Sequence, residues 1–264
     1  MLTFPNIDPV IFKIGPLQVR WYGLMYVLGF LATLLLVKHQ IKKFGLKDLD
    51  THFENLNLVL IISLVLGGRL GYVLFYNLPY YLQHPAEILA TWQGGMSFHG
   101  GMLGLIIGSV IFCRKNRLDF WRVIDTYAVT IPIGLGLGRI GNFINGELYG
   151  RVTDVPWSMI FPGGGPLPRH PSQLYEAFLE GFLLFTILWI LKEKQRPPAS
   201  RPSGSMGALF LVLYGFFRIF VEFFREPDAH LGFIAGGMTM GQLLSSLMIL
   251  AGILIFLIRK KKTT

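Results

Sequence analysis

The sequence predicts an all-α polytopic membrane protein with seven transmembrane helices, a small outward-facing cap, an external N-terminus and a cytoplasmic C-terminus. Hydrophobic residues make up 52% of the 264 residues and charged residues only 15%, against about 25% in soluble domains. Long apolar segments recur, and Lys and Arg collect in alternate connections between them. The single cysteine, Cys113, excludes an intrachain disulfide scaffold, and the abundance of Leu, Ile, Val and Phe excludes disorder.

Seven segments are long and apolar enough to cross a bilayer core of about 30 Å, which takes ~20 helical residues. The fourth is the weakest, because it contains Asp125, Pro132 and a ladder of glycines from Gly134 to Gly138. The residues before the first segment contain three prolines and no basic start, so we expect no cleavable signal there. The predicted spans are 19–38, 55–77, 95–113, 120–138, 172–191, 205–224 and 238–258.

Basic residues predict the orientation of these spans. Each of four alternate connections carries four Lys or Arg, which makes sixteen of the 24 in the chain. The opposite connections carry six, and Arg69 and Arg218 fall inside spans. Because Lys and Arg collect on the cytoplasmic side, the N-terminus is expected outside and the C-terminus inside. Topology thus accounts for the formal net charge of +9, and no nucleic-acid partner is expected.

The connections differ in character, although residues 1–264 are expected to form a single integral membrane domain. Residues 78–94 hold Tyr80, Tyr81 and Trp92 but no basic residue, as is typical of an arm lying in the membrane interface. The segment 139–171 is the longest outer loop and is rich in Gly, Pro and Asn, which predicts a small folded cap. Residues 192–204 are predicted to be a polar cytoplasmic linker.

Polar side chains from six segments are predicted to reach one membrane depth, near the outer face. An ionisable group inside a membrane is costly unless it is paired or hydrated, so such a concentration indicates function. With a helical rise of 1.5 Å per residue, these side chains lie close to the outer ends of the predicted spans. Its members are Trp21, Tyr22, Arg69, His99, Arg139, Glu176, Arg218, Glu222 and Arg225.

The densest polar stretch is Gly138–Gly150, which is predicted to be a helix end that turns on glycines. Its amides (Asn142, Asn145), its guanidinium (Arg139) and its carboxylate (Glu147) can converge on a small polar head, since glycine lets the main chain approach closely. Residues 136–141 fit G-x-G-x-x-G, but they follow a membrane span rather than a soluble strand. A dinucleotide site is therefore rejected.

Several of these features also have purely structural explanations. Small residues at Gly100, Gly104 and Gly108 are typical of close helix packing. The Arg218–Glu222 spacing suits a buried pair that only neutralises itself. His99 can be a hydrogen-bonded histidine between helices. The six histidines are scattered, so neither a metal nor another cofactor is expected.

Three function classes remain open on the residues alone. A base candidate, several arginines and a lipid-accessible position suit an enzyme acting on an anionic phospholipid. A transporter or flippase for an anionic lipid also uses intramembrane arginines and broken helices, but it predicts a polar path to the cytoplasm. The inner halves of the predicted spans are nearly free of charge, apart from Asp125. A lipid-binding scaffold would not need His99 beside the arginines.

The chain resembles the bacterial prolipoprotein diacylglyceryl transferases. Gly138–Gly150 matches their signature G-R-x-G-N-F-x-N-x-E-x-x-G at every fixed position. Further similar blocks follow one another in the same order along nearly the whole chain. They are Arg20-Trp21-Tyr22-Gly23, Gly67-Gly68-Arg69-x-Gly71-Tyr72, 95–101 (GMSFHGG), 169–176 (RHPSQLYE) and 222–228 (EFFRxPD).

The resemblance implies transfer of the diacylglyceryl group of phosphatidylglycerol to the lipobox cysteine of a prolipoprotein. It places the protein among membrane lipids of the bacterial inner membrane, with the cap and active site facing the periplasm. His99 is then expected to be the base. Arg139 and Arg225 are expected to bind the phosphate and stabilise the leaving anion. The expected supporting residues are Asn142, Asn145 and Gly150 (headgroup positioning), Glu147 and Glu222 (arginine orientation), and Tyr22 and Arg69 (lipid access).

Overall fold

In a computed structural model of the protein, the described residues are 2–5, 7–15, 17–91, 94–195, 202–226 and 237–261. Trp92 of the predicted arm, positions 196–201 of the predicted linker, and Pro227 and Asp228 lie outside the described residues. The chain divides into two units. The first unit comprises Met1–Gln40 with Ile124–Thr264, and the second unit comprises Ile41–Val123.

The described chain is mostly helical, as predicted. An antiparallel hairpin, Val10–Ile14 (β1) with Leu17–Arg20 (β2), precedes the first span and was not predicted from the sequence. The helices are α1 (Trp21–Phe44), α2 (Lys47–Tyr76), α3 (Leu78–Gln83), α4 (Phe98–Lys115), α5 (Phe120–Ala128), α6 (Ile131–Ile144), α7 (Ser172–Glu176), α8 (Leu184–Leu191), α9 (Ser205–Glu222) and α10 (Met240–Lys261), with a π-helical segment at Ala177–Leu183 and 3₁₀ turns at Pro85–Glu87 and Lys192–Gln195.

Five helices are long and apolar enough to cross a membrane: α1, α2, the continuous helix Ser172–Leu191, α9 and α10. A sixth candidate is the pair α5 and α6, which are bent by 42° at their junction. These helices make the chain a multi-pass membrane protein. The third predicted span corresponds to α4, whose 18 residues include four glycines and end on Arg114 and Lys115. It is not among the helices that are apolar enough to be counted as spans, so the count of seven stays a prediction.

The fourth predicted span differs most from the structure. Its helix is interrupted before Ile131 and then continues to Ile144, six residues beyond the predicted end at 138. The glycines do not end this helix, because they serve helix packing. A Cβ atom built on Gly136 would lie 3.0 Å from the Cα of Gly181 on the neighbouring span. Arg139 and Asn142 are therefore helical residues, and the glycine turns begin only after Ile144.

The first unit is held together by apolar contacts and by one buried helix cap. Val129, Leu184, Leu188, Met206 and Phe217 form a core cluster among its helices. The second stabilising contact of this unit is made by Asp125. Its carboxylate accepts hydrogen bonds from the backbone N–H groups of Gly204 (2.7 Å), Met206 (2.8 Å) and Gly207 (2.9 Å) at the start of α9. This carboxylate satisfies donors that the helix itself leaves unpaired.

In the second unit, α2 and α4 pack with their backbones in close contact. A Cβ atom on Gly71 would lie 2.7 Å from the Cα of Gly100, and one on Gly67 would lie 2.8 Å from the Cα of Gly104. The expected small-residue packing is confirmed for Gly100 and Gly104.

Residues after α6 form an irregular folded segment tied by single β-bridges. Gly150 bridges to Arg225, Val152 and Met159 both bridge to Arg169, and Leu2 bridges to Met159. A small aromatic core lies beneath it, formed by Phe143, Met159 and Phe161 with Phe4, Tyr149 and Leu174 packed around them. The bridge to Arg225 places this segment beside the end of α9.

Candidate functional site

Three arginines of the first unit converge on one buried carboxylate. Glu176, at the end of α7, is fully buried. It binds Arg139 of α6 through Nε (2.6 Å), Arg218 of α9 through Nη1 (2.9 Å) and Arg225, just beyond α9, through Nη1 (3.2 Å). We call Arg139, Arg218, Arg225, Glu176 and Glu222 the arginine cluster. The structure thus brings together Arg139 and Arg225, the two arginines predicted to bind phosphate. They meet at Glu176, a carboxylate for which the sequence suggested no role.

Helical spacing explains much of this cluster. Arg218 and Glu222 are at positions i and i+4 on one face of α9, and Arg225 follows shortly after the helix ends. Arg218 forms an ion pair with Glu222, as the sequence suggested. The second carboxylate oxygen of Glu222 accepts a hydrogen bond from the Thr239 hydroxyl at 2.8 Å. The pair therefore does more than neutralise itself, because Arg218 also binds Glu176.

Arg139 is the member of the cluster that remains most available to a ligand. Its side chain is 22% exposed, whereas Glu176 beneath it is inaccessible. Its Nε is bound to Glu176. Within the described part of the chain, its two terminal nitrogens have no hydrogen-bond or ion-pair partner. A guanidinium anchored through Nε presents the edge that binds phosphate oxygens in a bidentate manner.

The predicted polar stretch forms a second group at the end of α6, which we call the amide group. One carboxylate oxygen of Glu147 accepts hydrogen bonds from the side-chain amides of Asn142 (2.9 Å) and Asn145 (3.1 Å). Glu147 was predicted to orient the arginines, but these contacts show that it orients the two amides. Tyr22 packs on the same helix end, since a Cβ atom on Gly141 would lie 2.9 Å from its ring.

The turn that carries Glu147 is strained and is held in place from α7. Leu148 has a φ of +58°, a left-handed conformation that is costly for a residue with a branched side chain. Gln173 donates a hydrogen bond to the carbonyl oxygen of Glu147 at 2.6 Å, and Ser172 donates one to that of Leu148 at 3.1 Å. Both donors are fully buried. Both donors and Glu176 belong to α7. The two side chains therefore fix the position of the amide group relative to Glu176.

Gly150 is required for a close approach between backbones. Its N–H donates to the carbonyl oxygen of His170 at 2.8 Å, and a Cβ atom here would lie 2.7 Å from the Cβ of His170. No side chain fits in that space. The sequence predicts that Gly150 helps to position the headgroup. Its contacts support a role in backbone packing.

Next to Gly150 lies a hydrogen-bonded chain of three side chains. Nδ1 of His170 is 3.1 Å from the hydroxyl of Tyr175, which accepts a hydrogen bond from the indole of Trp157 at 2.6 Å. Burial lowers the pKa of His170 below its ordinary value of 6.5. A neutral imidazole can accept a hydrogen bond from the Tyr175 hydroxyl at Nδ1. The lowered pKa favours this neutral ring, so it is consistent with the contact.

In the second unit, Arg69 does not have the contacts expected of a residue lining lipid access. Its side chain is 1% exposed. Its guanidinium donates to the carbonyl oxygens of Glu87 (2.7 Å), Ile88 (2.8 Å) and Gly94 (2.6 Å), and it lies over the ring of Tyr81. Arg69 therefore holds the segment after α3 in place. The position of Arg69 in its span predicts a place near the outer face, but residue spacing does not reveal that loop carbonyls accept its hydrogen bonds.

His99 is the second residue of α4 and is exposed. Its ring makes an edge contact with Phe98, with 5.7 Å between ring centroids. Among the described residues of the second unit, it has no hydrogen-bond partner. The structural alternative of a hydrogen-bonded histidine is therefore not supported by the contacts within this unit.

The most important residue that sequence reasoning left unassigned is Glu176. The signal was present, because three arginines at one depth require buried counter-charges. Glu180 is also fully buried, and no separate feature of the sequence indicated it. It follows Glu176 by four residues, which is the spacing that puts two side chains on one helix face.

Comparison with known proteins gives consistent matches along the whole chain. A family model described as prolipoprotein diacylglyceryl transferase matches residues 9–258. Three similar proteins are each named phosphatidylglycerol–prolipoprotein diacylglyceryl transferase. The protein of Desulfotalea psychrophila is 59% identical over 99% of this chain and 98% of its own length. The corresponding values are 54%, 96% and 95% for Geobacter sulfurreducens, and 51%, 100% and 99% for Bordetella avium.

Proposed function

The chain belongs to the prolipoprotein diacylglyceryl transferase family, and from this premise we propose how its arginine cluster takes part in the reaction. The protein is a transferase that moves the diacylglyceryl group of phosphatidylglycerol to a prolipoprotein. The acceptor is the thiol of the lipobox cysteine in the signal peptide, the product is a thioether, and glycerol phosphate is released. The observation that carries this proposal is that Arg139 is anchored through Nε, while its two terminal nitrogens have no partner among the residues that the structure describes.

The first step is binding of the lipid headgroup at Arg139. Phosphatidylglycerol carries one negative charge on a phosphodiester, and the two terminal nitrogens of Arg139 suit two of its oxygens. Because Glu176 holds the guanidinium in place, little side-chain freedom is lost on binding. Arg225 shares the same carboxylate and is proposed to face the same phosphate.

The second step is displacement at the glyceryl carbon. The cysteine sulfur forms a bond to this carbon while the carbon–oxygen bond to the phosphate breaks, and the bonding electrons leave with the phosphate. Negative charge therefore develops on the leaving group, where preorganised guanidinium groups stabilise it most. The thiol proton must go to a base, since the thiolate is the competent nucleophile. His99 is the proposed base, because imidazole is the side chain suited to proton transfer near neutral pH.

Other residues of the site are proposed to position these groups. Asn142, Asn145 and Glu147 form a rigid polar surface one turn along α6 from Arg139, which suits the glycerol hydroxyls of the headgroup. Glu222 orients Arg218, and Tyr22 packs against the same helix end. For Arg69 and Gly150 the contacts support a structural contribution.

The proposed location is the bacterial inner membrane, with the arginine cluster facing the periplasm. Its support is the asymmetry of Lys and Arg, sixteen against six, between alternate connections of the apolar helices. This orientation also places the site on the side of the membrane where a secreted prolipoprotein presents its signal peptide.

The decisive experiment uses the full chain purified in detergent with phosphatidylglycerol and a lipobox peptide. We expect the peptide to gain the mass of one diacylglyceryl unit. Arg139→Lys should lose at least about tenfold in kcat/KM, because an ammonium cannot replace two parallel hydrogen bonds. Arg20→Lys is the matched control, since the Arg20 side chain is exposed and donates a hydrogen bond to its strand neighbour Gln18. Full activity of Arg139→Lys would exclude bidentate binding there. Lipid counterflow without thioether product would instead support the transporter.

A further inference from the structure

The C-terminal end of α9 is held by a residue of the folded segment after α6. A helix leaves its last carbonyl groups without internal partners, and an arginine side chain can supply the missing donors. Nη2 of Arg151 is 3.4 Å from the carbonyl oxygen of Glu222, the last residue of α9. Its Nε donates to the carbonyl oxygen of Arg225 at 2.9 Å, and its backbone N–H donates to that of Phe224, also at 2.9 Å. One residue therefore binds three carbonyl oxygens at and just beyond this helix end.

Arg151 is itself fixed in place through its main chain. Its carbonyl oxygen accepts a hydrogen bond from the N–H of His170 at 3.0 Å, and the preceding residue, Gly150, forms the β-bridge to Arg225. His170 lies two residues before Ser172, where α7 begins. The guanidinium of Arg151 therefore acts from a backbone that is tied both to the residues leading into α7 and to those following α9.

Arg225 needs such support because it lies outside the helix. α9 ends at Glu222, and helix ends fray, so helical spacing does not fix a side chain three residues further on. The Arg225 side chain is nevertheless buried and reaches Glu176, with 3.2 Å between Nη1 and Oε1. This distance is already at the long end of the range for a hydrogen bond. A small displacement of the Arg225 backbone would therefore break the contact.

We propose that Arg151 is a positioning residue for the transfer reaction. Its side-chain contacts with the carbonyl oxygens of Glu222 and Arg225 hold the guanidinium of Arg225 against Glu176. A cation at the C-terminal end of a helix also meets the negative end of the helix dipole, which strengthens these contacts. The inference rests on the proposed function, which assigns Arg225 to the lipid phosphate, and it extends the functional residues beyond the polar stretch that ends at Gly150.

Hydrogen exchange of the purified full-length protein, followed by mass spectrometry, tests the hold on the backbone. Arg151→Gln removes the guanidinium but keeps the backbone bonds on either side of it. We expect residues 220–226 to exchange at least about fivefold faster than in the wild type. Unchanged exchange there would overturn the proposal. If Arg151→Gln does not fold, Arg151→Lys gives the same comparison with the positive charge kept.

The matched control for this measurement is Arg259→Gln. Nε of Arg259 donates to the carbonyl oxygen of Ser203 at 2.8 Å, so it makes the same kind of contact just before the other end of α9. Its loss should leave the exchange of residues 220–226 unchanged. Faster exchange of these residues in both variants would show a general loosening of α9 and would also overturn the proposal.

A double-mutant cycle tests whether Arg151 acts through Arg225. The wild type, Arg151→Gln, Arg225→Lys and the double variant are titrated in detergent with short-chain phosphatidylglycerol; Arg225→Lys keeps the positive charge, so that binding stays measurable. Arg151→Gln should weaken binding at least about fivefold in the wild type but less than about twofold once Arg225 is replaced. A merely structural contribution would be equal in both backgrounds, and such additive losses would overturn the proposal. Neither measurement depends on turnover, so a wild type that fails to transfer the diacylglyceryl group contradicts the proposed function alone, and additive losses contradict the role of Arg151 alone.

Discussion

At the scale of single residues, the carboxylates organise the site as much as the arginines do. Glu176 is inaccessible to solvent and contacts three guanidinium groups from separate parts of the chain. Each arginine alone would be costly inside a membrane, and the shared counter-charge removes much of that cost. The same contact fixes the direction in which Arg139 points.

Replacing Glu176 by Gln should therefore affect both stability and turnover. We expect a loss of about 3 kcal/mol in the free energy of unfolding, since three guanidinium groups lose the buried anion that they share. The transfer rate should fall on the order of a hundredfold, because Arg139 loses its orientation. The control is Glu226→Gln, whose half-exposed side chain pairs with Arg169 and should change the stability little. Thermal unfolding in detergent and the peptide assay give both values, and a fully active variant would contradict the role of Glu176.

His170 makes a prediction about pH. Its pKa in the folded state lies below the ordinary 6.5, so the unfolded chain takes up its proton first as the pH falls. The neutral ring favours the fold above about pH 6.5, and this contribution declines as the pH falls from there towards the folded-state pKa. The unfolding temperature should therefore drop less for His170→Gln than for the wild type between about pH 7.5 and 5.5. Equal drops would mean that His170 does not contribute.

At the scale of secondary structure, the helix ends do much of the positioning. The N-terminus of α9 is capped by Asp125 from another helix, which lies 79 to 82 residues earlier in the sequence than the N–H groups it binds. Because Arg218 and Glu222 lie further along α9, this cap fixes the axial position of two members of the arginine cluster. The cap and the cluster therefore lie at opposite ends of one helix.

Asp125→Asn tests this connection. The amide keeps the size of the side chain but loses the charge that three N–H groups share, which should cost about 1–2 kcal/mol of stability. Asp8→Asn, at an exposed turn before β1, is the control. Thermal unfolding of the two variants in the same detergent gives the comparison. Equal unfolding temperatures would show that the capping charge is not important.

Apolar patterning predicted some elements closely and others poorly. Residues 172–191 form the predicted span to the residue, since Pro171 precedes it and Lys192 follows it. The predicted end of α6 was wrong by six residues. Glycines that break helices in water pack helices together in membranes. The amide group was predicted as a concentration of polar residues. Glu147 binds amides, and Arg69 binds loop carbonyls. These contacts depend on the three-dimensional fold and cannot be predicted from the spacing of residues in the sequence.

At the scale of the whole molecule, the main sequence prediction concerns topology. Charge counting predicts the side of the membrane on which each connection lies, whereas the helices themselves show only that the chain crosses repeatedly. From the same charge count we propose that the arginine cluster and the folded segment after α6 face the periplasm.

Labelling of single cysteines tests this orientation. With Cys113 replaced by Ser, a cysteine at Phe12 in β1 should react with a membrane-impermeant reagent added to intact spheroplasts. A cysteine at Lys261, at the end of α10, should react only after lysis. Both positions are exposed. The opposite pattern would place the arginine cluster in the cytoplasm and contradict the proposed location.

The π-helical segment Ala177–Leu183 has a consequence for how this span tolerates change in its length. Its i→i+5 bonding accommodates one residue more than a regular helical turn would hold. Deleting one residue there would restore a regular helical turn and leave Glu176 at nearly the same angle relative to Leu184–Leu191. A deletion within the regular helix Leu184–Leu191 would instead rotate Glu176 by about 100° relative to the residues that follow the deletion. The wide turn can therefore lose one residue while the carboxylate still points at the arginines.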